Sequence, residues 1–286
     1  MVAHCIRKAV GWGVAQGFIR SGLRARAVRR YDCPGTLLSL CAHDPTPAVL
    51  SRIIRWLKAR GFHFVSEGEL LAGRLPEGRL AWLTFDDGWC GFRQLVGILE
   101  REAVPASLFI APGESQRGFL WTNALLAKLP MARVRALYPL AREAREEVVA
   151  QVLGPPQAQV RTLLSPEEIS ALAAHPLLTI GNHTCSHLSI THRPFAEAVA
   201  EIEEAQALLQ AWCGRTPRCV CYPFGHRTVE VDRWLRAQGL QPVGLRPGVD
   251  RVGEHLGGFR NMIYDEMSLA ENACRIVKAW LPIRRT

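Results

Sequence analysis

The sequence predicts an α/β fold in which parallel strands are covered by helices. Three observations predict it. From residue 36 onward, short apolar runs alternate with segments of helical period. Three of those runs end in polar clusters, at Asp86-Asp87-Gly88, at His183–His187 and at Tyr222–Gly225. No glycine-rich dinucleotide fingerprint follows any strand, which argues against a nucleotide-binding sheet. A barrel and an open doubly wound sheet both fit this alternation.

The elements read in order as follows. Thr36–Ala42 is a strand, and Pro45–Arg60 a helix with Val49, Leu50, Ile53, Ile54 and Leu57 on one face. Phe62–Val65 is a short strand, and Ser66 with Glu69 marks a capping box opening a brief helix. Arg79–Phe85 is the next strand, broken by Asp86-Asp87-Gly88; Phe92, Leu95, Val96 and Leu99 then define a helix before a strand at Ala106–Ala111. Residues from Gly113 to Pro166 read as the longest irregular stretch, an expected insertion. A helix opens at Ser165 with Glu168 three residues on, and a strand follows at Leu177–Gly181. A long helix at Pro194–Trp212, a strand at Cys219–Tyr222, a helix near Val229–Gln238 and a helix at Met267–Trp280 complete the pattern.

The 286 residues are 48% hydrophobic and 21% charged, as in an ordinary folded protein. With no linker and no internal repeat, one body over residues 36–286 is expected, preceded by a basic arm or helix over residues 1–35. Nine cysteines, scattered singly except for the close pair Cys219 and Cys221, fit a reducing compartment better than a disulfide framework. Of the 35 basic residues, seven lie in the first thirty positions, where no acid occurs; the other 28 nearly balance 26 acids. A nucleic-acid-binding body is therefore not expected. Ile6, Val10, Val14 and Phe18 form a four-residue ladder there, and Trp12 is a suitable anchor for peripheral contact with anionic lipid. The plainer reading is a helix packed on the body. No run reaches the ~20 apolar residues of a membrane span. Neither an export core nor a cleavage site follows the early charges, so the expected location is cytoplasmic, with membrane association through the arm.

The three clusters are chemically complementary. In a parallel barrel the strand ends gather on one face, where active sites are built. His183 and His187, spaced i and i+4, are expected on one side of a helical turn, sharing a metal ion. One carboxylate of the aspartate pair supplies a third ligand, and two histidines plus a carboxylate leave positions open for water and substrate. The other carboxylate can take the water's proton. Taken singly, Asp-Asp-Gly is a turn with a helix cap, His-x-x-x-His arises by chance on surface helices, and Pro-Phe-Gly is a turn. Their joint occurrence, each at a strand end, favours function.

These residues resemble the polysaccharide deacetylase family, the NodB-homology or carbohydrate esterase family 4 group. Thr84-Phe85-Asp86-Asp87-Gly88 is similar to its first motif and His183-Thr184-Cys185-Ser186-His187 to its second. Cys221-Tyr222-Pro223-Phe224-Gly225 is similar to a third motif of the form Ala-Tyr-Pro-Tyr-Gly. The likeness runs over roughly residues 36–265. It implies a distorted (β/α)7 barrel of the NodB-homology type and a divalent cation, zinc above all. It also implies release of acetate from an N-acetylated saccharide, such as a polysaccharide or a lipid-linked precursor. Carried over by position, Asp86 is the general base, Asp87, His183 and His187 hold the metal, and the Phe224 turn offers an N–H to the oxyanion.

Two departures stand out. Many relatives carry an arginine where Cys221 stands, and Arg260 is the expected substitute cation. The family's late Leu-x-x-His motif is missing, and His255, the nearest late histidine, is out of register. His43, Trp121 and Tyr222 are the expected substrate contacts, and Cys90 and Cys185 flank the site as spare soft ligands. The competing functions are a carbohydrate O-acetyl esterase and an inactive carbohydrate-binding barrel.

Overall fold

The computed structural model describes residues 2–154, 159–252 and 257–278. His255 and Trp280 lie outside the described residues. In chain order the elements are α1 (Val2–Arg20), α2 (Leu23–Arg29), β1 (Thr36–Ala42), α3 (Pro47–Lys58), β2 (Phe62–Phe64), α4 (Glu67–Ala72) and β3 (Arg79–Asp87). Next come α5 (Val96–Glu102), β4 (Ala106–Ile110), α6 (Pro112–Arg117), α7 (Trp121–Leu126), α8 (Met131–Arg135), α9 (Arg142–Leu153) and α10 (Pro166–Ala173). The last are β5 (Leu178–Asn182), α11 (Phe195–Cys213), β6 (Cys219–Cys221), α12 (Val229–Ala237), β7 (Gln241–Val243), β8 (Asp250–Arg251), β9 (Asn261–Met262) and α13 (Leu269–Ile276).

Contacts divide the chain into two compact units. One comprises Met1–Thr84, Gly91–Ala106 and Arg246–Thr286; the other comprises Phe85–Cys90 and Ser107–Leu245. In the first unit β3 lies beside β1 and β1 beside β8, with β2 parallel to β3 and β9 parallel to β1; β8 is antiparallel to β1. Its core is built by β1, buried along its whole length, and by Leu50, Ile53, Ile54 and Leu57 of α3. Both β1 and β3 read as nearly unbroken apolar runs because helices and sheet neighbours leave neither face to water. The Ser66–Glu69 capping box forms as expected, each partner satisfying a backbone N–H that the helix leaves open.

Within the arm α1 and α2 are helices, and α1 packs against α13, where Cys274 Sγ lies 3.8 Å from the Ala15 carbonyl. Ala15 is buried, whereas Val10 and Val14 are more than half exposed. Of the expected ladder, Val10 and Val14 are therefore largely outside the packed face, whereas Phe18 is half-buried. Close approach of the helices selects the small Ala15 instead. No described helix is long and apolar enough to cross a membrane.

In the second unit the strand order is β7-β6-β5-β4, with β5, β6 and β7 parallel. One core cluster joins Ile190, Ala198, Ile202, Val220, Tyr222, Val231 and Leu235, filling the space between the sheet and helices α11 and α12. A second joins Phe119, Trp121, Leu125, Val134, Val149 and Leu153. This second cluster corrects the expectation for residues 113–166: the stretch is not irregular but folds as α6 to α9 around its own core. Three of its helices have only five or six residues, Gly118 and Pro130 interrupt the run, and the buried face of the twelve-residue α9 carries Arg145. No sustained period therefore shows in the sequence.

Candidate metal and catalytic site

Apart from Thr84, the residues of the three motifs lie in the second unit. Asp86 and Asp87 end β3, one residue pair beyond the expected break at Phe85. Asp87 is left-handed, with φ of 74°, so the backbone turns at this residue and the two carboxylates face different neighbours. The chain then turns at Gly88, whose φ is 82° and whose carbonyl accepts the Leu164 N–H at 2.8 Å. A β-carbon at Gly88 would stand 2.6 Å from Ile110 Cδ1, so both the turn and its packing demand glycine.

His183 follows β5 and is fixed at both ends. Its backbone N–H donates to the Ile110 carbonyl at 2.8 Å, and its Nδ1 meets the Cys221 carbonyl at 2.8 Å. A carbonyl only accepts, so Nδ1 carries the proton and Nε2 is the nitrogen left to face the site. Residues 183–187 do not form the expected helical turn. Thr184 and His187 are left-handed, with φ of 59° and 51°. Asn182 Oδ1 accepts the Thr184 N–H, Thr184 Oγ1 accepts the Leu188 N–H, and Glu201 accepts both the N–H and the hydroxyl of Ser186. These side-chain bonds replace helical ones. The two histidines still converge, with ring centroids 5.0 Å apart.

The result is a compact donor set. Asp87 Oδ1 lies 3.4 Å from His183 Nε2 and 3.3 Å from His187 Nε2. All three side chains are buried, and each offers a donor atom within 4.8 Å of the others. Trp89 Nε1 donates to the other carboxylate oxygen, Oδ2, at 3.0 Å, which orients Asp87. His187 Nδ1 has no hydrogen-bond partner among the described residues. Burial pulls the His183 imidazolium down, but Cys221, Asp87 and Asp86 outweigh it and hold the pKa well above the usual value. Burial lowers that of His187, against Asp87 and with help from His183 and Arg145. A carboxylate facing two imidazole nitrogens needs positive charge between them. A proton on His183 or a divalent cation supplies it, and the donor set of two nitrogens and one oxygen suits zinc.

Asp86 sits beside Cys221, whose thiol points to Asp86 Oδ2 at 3.8 Å. Phe224 occupies a tight turn with φ 60° and ψ 3°. Six described non-glycine residues have positive φ, and four of them are Asp87, Thr184, His187 and Phe224. Each costs of order 1–3 kcal/mol, so strain is concentrated on the three motifs.

The α6–α9 segment supplies neighbours that the sequence did not announce. Tyr138 stacks on Phe224 with centroids 4.2 Å apart, and Phe224 in turn meets His187 edge-on at 4.6 Å. Arg145, fully buried, lies over the Trp121 ring, 4.9 Å from its centroid. Glu114 is buried without exposure; its Oε2 accepts the Trp121 N–H at 2.9 Å and its Oε1 lies 3.2 Å from Arg117. Arg117 and Arg145 both reach Glu146. Burial pushes the Glu114 carboxyl up to about 7, against Arg117, Arg145 and the Trp121 N–H. No motif marks Tyr138 or Arg145; both come from the stretch that lacks helical periodicity.

The remaining expected residues fall as follows. Trp121 is buried among Phe119, Leu125 and Val149. Tyr222 is enclosed in its core cluster, its hydroxyl donating to Asp232 Oδ1 at 2.6 Å. Arg260 and His43 belong to the first unit. Arg260 is buried and donates from Nη1 to Thr84 Oγ1 at 2.9 Å, and Thr84 donates onward to the Leu40 carbonyl. His43 is half-buried directly after β1. Cys185 lies against Arg142 at 4.0 Å, and burial, with Glu201 and Glu204, pushes its thiol up to about 12. Cys221, rather than Cys90 or Cys185, is the cysteine that joins a donor trio among the described residues.

The family model of polysaccharide deacetylase matches residues 74–243, more than half of the chain and all three motifs. The chain belongs to the polysaccharide deacetylase family. Solved structures of deacetylases agree in fold. IcaB from Ammonifex degensii is 21% identical over 86% of this chain and 97% of its own, with a TM-score of 0.60. The BpsB deacetylase domain from Bordetella bronchiseptica is 17% identical over 80% and 96%, with a TM-score of 0.58. Streptococcus pyogenes deacetylase PplD, solved with acetate, is 15% identical over 87% and 100%, with a TM-score of 0.57. No curated protein matches the chain in sequence. The fold of this deacetylase is the α/β distorted (β/α)7 barrel of the NodB-homology type.

Proposed function

We propose that this polysaccharide deacetylase is a zinc-dependent hydrolase that removes acetyl from the amide of an N-acetylated saccharide. The observation that carries the reading is Asp87 Oδ1 held 3.4 and 3.3 Å from two imidazole Nε2 atoms beside a second carboxylate. Asp87, His183 and His187 would hold the cation. When bound there, zinc lowers the pKa of a water and polarises the acetyl carbonyl. Asp86 takes the proton of the attacking water, a task suited to a carboxylate within reach of the same histidine. Cys221 fixes the His183 tautomer through its carbonyl, keeping Nε2 directed at Asp87. The Phe224 N–H, presented by a strained turn, stabilises the charge that develops on the carbonyl oxygen.

The test is acetate release from N-acetylhexosamine oligosaccharides and from matched O-acetyl esters, with and without chelator. Amide cleavage that stops with chelator and returns with zinc is expected. Ester cleavage alone would make the chain an O-acetyl esterase. Binding of saccharide without release of acetate from either would make it a carbohydrate-binding barrel.

The same reading places the enzyme in a reducing compartment at an anionic membrane surface. Two features support this: eight reduced cysteines among the described residues, and an N-terminal segment with seven basic residues, no acid and an exposed Trp12. Co-sedimentation of the full chain with anionic but not neutral vesicles is expected, lost in Trp12→Ser. Equal recovery with both vesicle types would reject the membrane contact.

A further inference from the structure

His183 belongs to two donor trios. Besides Asp87, His183 and His187, the side chains of Asp86, His183 and Cys221 also bring an oxygen, a nitrogen and a sulfur within 4.8 Å of one another. All three are buried, at 2%, 2% and 0% exposure. The sulfur lies 3.8 Å from Asp86 Oδ2. Metal–ligand bonds of about 2.0–2.3 Å around one ion put neighbouring ligand atoms roughly 3–4 Å apart, and the Asp86–Cys221 separation already lies in that range. Cys221 is in no disulfide.

We propose that Asp86, His183 and Cys221 form a second, alternative cation position that selects soft, thiophilic ions such as cadmium. The two trios share one imidazole, so a cation occupies one or the other. They differ in softness. The first offers two nitrogens and an oxygen, while the second exchanges an imidazole for a thiol, the donor that soft ions prefer. Binding breaks the Cys221 S–H bond, forms a sulfur–metal bond and releases one proton to the buffer, with no change of oxidation state. An ion there also occupies the Asp86 carboxylate. On the reading of Asp86 as base, thiophilic ions are inhibitors and the identity of residue 221 sets their potency. The cation position itself requires only the three side chains.

The experiment uses the full chain freed of metal and titrated with cadmium alone. The first equivalent is expected to give the near-ultraviolet thiolate-to-cadmium charge-transfer band, release of a thiol proton, and sulfur in the cadmium shell by X-ray absorption. His187→Ala, which breaks only the first trio, keeps the band. Cys221→Ser loses it at the first equivalent and weakens cadmium binding about tenfold or more. The X-ray measurement on the parent needs no variant, so a misfolded serine protein does not block the test. A first-equivalent shell of nitrogen and oxygen only overturns the proposal while leaving the zinc reading intact. So does an undiminished band in Cys221→Ser. Zinc-restored acetate release with that same sulfur-free cadmium shell would separate the two ideas cleanly.

Discussion

Replacing Glu114 with Gln sets two opposed effects against each other. The carboxyl is wholly buried, which favours its neutral form, yet it faces Arg117 at 3.2 Å, which favours the anion. Burial dominates, and its pKa stands at about 7 against an ordinary 4.5. At about 1.4 kcal/mol for each tenfold in proton affinity, that gap corresponds to about 3 kcal/mol. The folded state therefore holds this proton more tightly than the unfolded chain. Its contribution is intact below about pH 4.5 and is lost as pH rises through about 7. Glutamine keeps an oxygen for the Trp121 N–H and has no proton to lose. Urea unfolding at about pH 5 and about pH 8 reads the difference, with chelator throughout because cation affinity itself depends on pH. The parent is expected to lose about 2–3 kcal/mol more than Glu114→Gln across that interval and to be the less stable protein at the upper end. A variant less stable than the parent at about pH 8 would show the Arg117 pair outweighing desolvation, and the reasoning would fail.

Three further outcomes are expected. Asp86→Asn keeps stoichiometric zinc but slows acetate release by roughly a hundredfold to ten-thousandfold, measured by steady-state kinetics; unchanged turnover would reject Asp86 as the base. His183→Ala loses zinc by elemental analysis after desalting, and a retained equivalent would exclude it as a ligand. Tyr222→Phe removes the 2.6 Å bond to Asp232 and lowers stability by about 1 kcal/mol with KM unaltered, whereas a raised KM at full stability would make the phenol a substrate contact.

The sequence was most legible where local chemistry is self-contained. The Ser66–Glu69 and Ser165–Glu168 capping boxes formed as read, since each is complete within four residues. β1 matched at both ends, being an apolar run bounded by Gly35 and His43. The Asp87–His183–His187 cluster was legible as well, because motifs that are ordinary singly occur together at strand ends. Its backbone was not. The i, i+4 spacing predicted a helical turn, and Glu201 and Asn182 instead captured the loop's N–H groups from positions outside the motif. Residues 113–166 failed for another reason. Helices α6 to α8, of five or six residues, span fewer than two turns, and the longer α9 puts a charged residue, Arg145, on its buried face beside Val149 and Leu153, so no apolar period shows. With that segment went Tyr138 and Arg145. Cys221 was read as a missing arginine. Its carbonyl on His183 and its sulfur beside Asp86 are consequences of where β6 ends.

The left-handed turn at Phe224 bears on how this enzyme should be dissected. If the working group there is an amide, truncating side chains one by one will pass over it, since every residue but proline presents the same N–H. Phe224→Gly would even relieve about 1 kcal/mol of conformational cost while removing the ring stacked on Tyr138. A mutational survey scored on stability would thus register opposed effects of ring and backbone conformation, and nothing of the N–H itself. Exchanging that single peptide bond for an ester by chemical ligation is the edit that would register its loss.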